Sequence, residues 1–78
     1  MLKIGKTYEM TINGVKISAK YKDDFMGKAG WCSNCNGDKY YKKRRNTLLY
    51  RFDTVDGRIN LCQFCMKKLI GCGNNGYR

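Results

Sequence analysis

Two Cys-x-x-Cys pairs in a chain of only 78 residues limit what this protein can fold into. The pairs are Cys32-Ser-Asn-Cys35 and Cys62-Gln-Phe-Cys65. A chain of this length buries too little apolar surface to be comfortably stable, so it needs a disulfide, a bound metal or a partner subunit. Two cysteines three positions apart can bind one ion from a tight turn or from the first turn of a helix.

The number and context of the cysteines favour a metal over disulfides. There are five cysteines, and an odd number cannot all be paired within the chain. The N-terminal residues show no signal-peptide pattern, and no run approaches the roughly 18 apolar residues of a transmembrane span. We therefore expect a cytoplasmic, reducing environment, in which paired cysteines more often bind metal. The sequence predicts one structural Zn²⁺ bound by Cys32, Cys35, Cys62 and Cys65.

Some alternatives to this assignment remain open at the sequence level. Iron accepts the same four-sulfur geometry, and disulfide or redox chemistry is a further possibility. Cys72 is predicted to be a spare thiol, although it could substitute for one of the four ligands. The residues between the pairs outnumber the roughly 15 to 20 of the simplest four-cysteine pattern, which leaves room for a hairpin.

The N-terminal segment alternates apolar and polar residues on both sides of Asn13-Gly14. This dipeptide favours a type I′ turn, which needs two residues with positive φ. The predicted register brings the apolar residues of both strands to one face of the hairpin, with Ile12 opposite Val15, Met10 opposite Ile17 and Tyr8 opposite Ala19. Residues 23–30, which contain two acids and two glycines, are predicted to form a loop or a short helical turn.

A second hairpin and a helix are predicted between and after the cysteine pairs. Residues 48–53 alternate as a strand, and a turn at Asp56-Gly57 would place Phe52 opposite Leu61 and Thr54 opposite Ile59. A helix is expected from about Asn60 or Leu61, with Asn60 as a possible N-cap and Gly71 at its C-terminal end.

In this arrangement residues 31–71 resemble a treble-clef zinc finger, in which a Cys-x-x-Cys knuckle and a β-hairpin lead to a second Cys-x-x-Cys at a helix start. The resemblance implies a small α+β zinc-stabilised domain, here with an N-terminal β-hairpin ahead of the finger. One domain over residues 1–78 is expected, divided into the hairpin and junction (1–30), the finger (31–71) and a tail (72–78). The first knuckle lacks the proline and following glycine often seen in treble-clef fingers. Proteins of this group include ribosomal proteins, nucleases, transcription factors and adaptors. The compact, lysine-rich, proline-free chain also looks like small phage-encoded proteins.

The chain is strongly basic, with 16 Lys and Arg against 6 Asp and Glu and a formal charge of +10. A zinc ion bound by four thiolates would lower this to about +8, which still favours polyanionic partners. The basic and aromatic residues expected to bind nucleic acid, either RNA or DNA, are Lys39, Tyr40, Tyr41, Lys42, Lys43, Arg44, Arg45 and Arg51.

Each of these aromatic residues also has a structural interpretation. Tyr40 and Tyr41 could instead pack on the metal site, with the cations merely solvated. Trp31, beside the first ligand, is expected to pack against the metal site rather than stack on a base, and the sequence does not decide whether Phe64 is buried.

An enzymatic role is not expected, because the chain contains no histidine and four cysteines would fill the coordination sphere of the metal. The alternative to nucleic-acid binding is a protein-interaction module. Such a module could be a regulator or inhibitor that docks on an acidic surface of a larger host enzyme. A membrane partner is not expected, and the oligomeric state is left open.

Overall fold

The computed structural model describes residues 2–37 and 42–70. Over these residues the chain forms strands β1 (Thr7–Ile12) and β2 (Val15–Lys28), a 3-10 turn (Ala29–Trp31), strands β3 (Asn46–Thr54) and β4 (Gly57–Cys62), and helix α1 (Gln63–Ile70). The strands pair antiparallel in the order β1-β2-β3-β4. The result is an α+β domain, with a four-stranded sheet followed by a short C-terminal helix.

The first hairpin has the predicted turn and register. Asn13 and Gly14 have φ values of 53° and 81°, as a type I′ turn requires. Tyr8 lies opposite Ala19, Met10 opposite Ile17, and Ile12 opposite Val15. The apolar face is buried around Met10 and Ala19, but Val15 at the tip is 60% exposed.

The prediction of a loop or helical turn over residues 23–30 was wrong for residues 23–28, because β2 continues to Lys28, and only residues 29 and 30 lie in a helical turn. A bulge between Tyr21 and Asp23 interrupts the alternation that a strand would show in the sequence. Beyond the bulge, Phe25 pairs with Leu49 of β3, so the N-terminal hairpin is continuous with the second one. Asp23, which looked like a loop residue, accepts hydrogen bonds of 2.7 and 3.1 Å from Arg51.

The second hairpin forms at the expected place but with a different register. Thr54 lies opposite Gly57, so Phe52 pairs with Ile59 and not with Leu61. The Thr54 hydroxyl explains the difference, because it donates to the carbonyl oxygen of Gly57 (2.8 Å) and accepts from the N–H of Asp56 (3.1 Å). These bonds favour a turn over Val55-Asp56 in place of the expected Asp56-Gly57 turn.

The helix begins later than predicted, at Gln63, and Asn60 is a strand residue and not its N-cap. Asn60 pairs with Arg51 of β3 on one side. On its other side its backbone bonds to Ser33, which donates its N–H to the Asn60 carbonyl (2.7 Å) and accepts from the Asn60 N–H through its hydroxyl (3.1 Å). Gly71, the expected helix end, lies outside the described residues.

The core lies between the sheet and α1, which packs against β1, β3 and β4. Phe52, Leu49 and Leu61 are fully buried. The Phe52 ring is contacted by Tyr21 at 5.5 Å and by Tyr8 at 6.4 Å between centroids. Among the described residues, no helix combines the length and apolar character needed to cross a membrane.

Candidate metal centre

The first cysteine pair lies in a tight turn directly after the 3-10 turn. The N–H of Asn36 donates to the Cys32 carbonyl (3.0 Å), and the N–H of Gly37 donates to Cys35 Sγ (3.4 Å). Asn36 and Gly37 have positive φ values of 55° and 78°. This left-handed backbone is the geometry expected from the Asn-Gly dipeptide, and it curls the chain around the sulfur of Cys35.

The second pair is divided between a strand end and a helix start. Cys62 is the last residue of β4, and Cys65 lies in the first turn of α1. The N–H of Cys62 donates to Cys32 Sγ (3.4 Å), and the Asn34 side-chain amide donates to Cys65 Sγ (3.3 Å). Each pair therefore supplies hydrogen-bond donors to a sulfur of the other pair.

The four sulfur atoms lie within 4.8 Å of one another, which makes them a candidate metal site. A tetrahedral zinc ion with Zn–S bonds of about 2.3 Å would hold its sulfurs about 3.8 Å apart. The distance between Cys35 Sγ and Cys62 Sγ is 3.8 Å. All four cysteines are free thiols, because a disulfide would need sulfurs about 2.05 Å apart. The donor set and its spacing thus fit zinc.

Burial makes the cluster unfavourable for several negative charges without a cation. Burial raises the pKa of the Cys62 thiol to about 11 and also raises the pKa of Cys65, and a charge on Cys32 adds to both shifts. Burial opposes ionisation of Cys32 as well, but the backbone N–H groups of Cys35, Cys62 and Asn34 together hold its pKa below the ordinary value. Several thiolates at this site therefore require a bound cation to offset their repulsion.

Zinc affinity should consequently fall steeply as the pH is lowered. Neutral pH is below the raised pKa values of Cys62 and Cys65, so both thiols are protonated and zinc must displace a proton from each. These two protons alone predict a loss of about 100-fold in affinity per pH unit. Competition with a chromogenic chelator at several pH values between 6 and 8 measures the slope. A slope near zero would contradict the assignment of these thiols as ligands.

The glycine that follows the first pair is a sensitive point of the site. A Cβ on Gly37 would lie 2.9 Å from the Ala29 carbonyl carbon and 2.9 Å from the Gly30 nitrogen, and these backbone atoms cannot rotate away. We expect Gly37→Ala to lower both the melting temperature and the zinc affinity. Gly14→Ala is the matched control, because Gly14 has a similar φ of 81° but no atom within 4 Å of the added Cβ. Its cost should be the backbone strain of about 1–2 kcal/mol, without a change in zinc affinity. Equal effects of the two substitutions on zinc affinity would argue against this role of Gly37.

The predicted basic residues fall into two places. Residues 42–45, called the basic turn below, are exposed and lead into β3. Their backbone lies against the residues before the first cysteine, since Gly30 donates to the Lys43 carbonyl (3.0 Å) and Ala29 to the Arg45 carbonyl (2.7 Å). Arg51 is instead half-buried within β3, on the Asp23 carboxylate. Lys39, Tyr40 and Tyr41 lie outside the described residues.

Two aromatic residues, Trp31 and Phe25, have positions that the sequence did not indicate. Trp31, expected to pack on the metal site, packs instead on Phe25, with ring centroids 6.3 Å apart, and remains 55% exposed. The sequence prediction placed Phe25 in a loop. In the structure it lies in β2, and the bulge turns it to the face on which Trp31 packs. The sequence offered one usable signal, a glycine, Gly27, two positions after Phe25 and four before Trp31. Phe64, left undecided above, is 49% exposed.

No family model, no curated protein and no solved structure matches this chain. The assignment of a zinc-binding site therefore rests on the four-cysteine cluster itself.

Proposed function

We propose that the domain is a treble-clef-like zinc finger with one structural zinc held by Cys32, Cys35, Cys62 and Cys65. The order of elements supports this, because a cysteine knuckle is followed by the β3–β4 hairpin and then by α1, which starts directly after Cys62. Four thiolates complete a tetrahedral coordination sphere. The metal would then have no open position for water or substrate, so we propose a binding protein and not an enzyme.

We propose further that the domain binds nucleic acid, and that the basic turn is the main contact. The observation that carries this proposal is the position of residues 42–45, which are exposed and joined by backbone hydrogen bonds to Ala29 and Gly30, just before the first cysteine pair. A cluster of cations on a fixed backbone suits a chain of phosphates. Lys39, Tyr40 and Tyr41, which precede the turn in sequence, belong to the same proposed contact.

A second candidate is a protein-interaction module, such as a regulator docking on a larger enzyme. The observation in its favour lies at the other end of the sheet, where Val15 and Val55 are 60% and 99% exposed and line one shallow depression between the hairpin tips. Exposed apolar residues of this kind often contact another protein. The basic turn could then dock on an acidic surface of the partner.

The two candidates are separated by direct titration of the untagged, zinc-loaded protein. Mixed-sequence RNA and DNA are titrated at about 50 and about 200 mM salt, because phosphate contacts weaken as salt rises. Binding that is present at the lower salt and falls steeply at the higher salt supports the nucleic-acid proposal. Absence of binding at the lower salt refutes it. Retention of one stoichiometric protein partner at high salt would favour the interaction module.

A further inference from the structure

Trp31 is the exposed end of a row of flat groups on one face of the sheet. Its ring lies 6.3 Å from that of Phe25, at an interplanar angle of 34°. On the same Phe25 ring the Arg51 guanidinium is placed 4.7 Å from the centroid. We call these three groups, Trp31, Phe25 and Arg51, the aromatic row.

The aromatic row is held rigidly by its neighbours. A Cβ on Gly27 would lie 2.8 Å from both the Phe25 and the Trp31 rings, so the rings rest directly on the backbone of β2. Arg51 is fixed at the other end by two hydrogen bonds to Asp23. Trp31 itself ends the 3-10 turn and precedes the buried ligand Cys32, whose N–H donates to the Ala29 carbonyl (3.1 Å). The metal site and the sheet together preorganise the Trp31 ring.

Trp31 nevertheless leaves 55% of its surface exposed. A large aromatic ring that packs on one side and is open on the other offers a flat apolar surface for another ring. Solubility alone would not favour this residue at such a position, because the exposed part of the ring makes no hydrophobic contribution to folding.

The basic turn lies beside the Trp31 end of the aromatic row. Gly30, the residue before Trp31, donates its N–H to the Lys43 carbonyl (3.0 Å), and a Cβ on Gly30 would be 3.3 Å from the Cβ of Lys43. A stacking surface and a set of cations are therefore adjacent. This combination suits a nucleotide, whose base is flat and apolar on its faces and whose phosphate is an anion.

We infer that the ligand is single-stranded nucleic acid, with an unpaired base stacked on Trp31 and the neighbouring phosphates on the basic turn. This inference rests on the nucleic-acid function proposed above and narrows its ligand class. In a duplex each base face is covered by the next base pair, so a single protruding ring has nothing to stack on. An unpaired strand leaves base faces available, and stacking on them tolerates any sequence.

Trp31 is the only tryptophan in the chain, so its fluorescence reports on the proposed contact directly. Three oligonucleotides of about 12 nucleotides are titrated at about 50 mM salt: a thymidine single strand, an abasic strand of equal charge, and a duplex. The thymidine strand should bind most tightly and quench the fluorescence. The abasic strand should bind more weakly through its phosphates and leave the fluorescence nearly unchanged.

Substitutions at Trp31 separate stacking from charge. Trp31→Ala should weaken binding of the thymidine strand by about 5- to 150-fold, and it should leave the salt dependence and the abasic affinity unchanged. Trp31→Phe should retain most of the affinity. Met26→Ala is the matched control, because Met26 is 66% exposed but, as the residue after Phe25 on β2, points to the opposite face of the sheet. Circular dichroism checks that each variant is folded.

The outcomes distinguish this inference from the proposed function. If none of the three oligonucleotides binds, the nucleic-acid function itself fails and the inference fails with it. If all three bind equally, without quenching of Trp31, the function stands and the stacking inference is refuted. The same conclusion follows if folded Trp31→Ala binds the thymidine strand as tightly as the unsubstituted protein does.

Discussion

Replacing Cys32 by serine should leave the purified protein without zinc and without a cooperative unfolding transition. Cys32 is fully buried, and its sulfur accepts the N–H of Cys62, so it joins the first cysteine turn to the end of β4. Structural zinc contributes about 10–16 kcal/mol in zinc-finger peptides. The net stability of a small domain is about 5–15 kcal/mol, so losing the metal removes an amount comparable to the whole. Circular dichroism during thermal unfolding, together with metal analysis, measures both consequences.

Cys72→Ser is the matched control for this experiment. It removes a thiol from the same chain but leaves the four clustered sulfurs in place. We expect this variant to retain one zinc per chain and the melting temperature of the unsubstituted protein. A strong chelator added to the unsubstituted protein should reproduce the effect of Cys32→Ser. A metal-free Cys32→Ser protein that still unfolds cooperatively at the original temperature would refute the structural role of the metal.

The parts of the fold that short-range chemistry determines could be predicted from the sequence. Asn13-Gly14 fixes a type I′ turn, and the alternation on both sides then leaves one register for the first hairpin. The cysteine spacing likewise predicted the four-sulfur cluster, because two close pairs in a reduced chain have few other uses. The residues of the turn, and the two cysteines within each pair, are close in sequence.

The parts that were missed depend on contacts made by residues far apart in the chain. The bulge at Tyr21 and Asp23 turns these residues to opposite faces although they are two positions apart, so alternation could not indicate that β2 continues. Asp23 is stable in the sheet because Arg51 neutralises it, and the Arg51 guanidinium holds the pKa of that carboxyl below its usual range. The exposed position of Trp31 follows from the same bulge, because it places Phe25 on the face where Trp31 packs.

For the candidate binding residues, too, the sequence showed which residues are cations but not where each of them lies. The sequence identified the cations of residues 42–45 because they are consecutive, but it grouped Arg51 with them. In the structure Arg51 is engaged with Asp23 and Phe25 on β3. Its proposed contribution is therefore to hold the aromatic row in place, and the phosphate contacts are assigned to the basic turn.

Reversing the charge of the basic turn should have the largest effect on binding. The variant replaces four exposed cations by glutamate: Lys42, Lys43, Arg44 and Arg45. Four phosphate contacts to a single strand predict that the unsubstituted protein loses about 50-fold in affinity between about 50 and about 200 mM salt. The variant should bind at least about 100-fold more weakly at the lower salt and should lose this salt dependence, because it releases no counterions.

A second charge-reversal variant distinguishes a local contact from the overall positive charge of the protein. It replaces four other exposed lysines by glutamate: Lys3, Lys20, Lys67 and Lys68. Both variants change the net charge equally, so a purely global attraction would weaken by the same amount in each. We expect the control to keep most of the affinity and nearly the full salt slope, since none of its lysines belongs to the segment that is hydrogen-bonded to Ala29 and Gly30. Equal losses in the two folded variants would show that the basic turn is not a binding site, and that the charge of the domain acts only as a diffuse field.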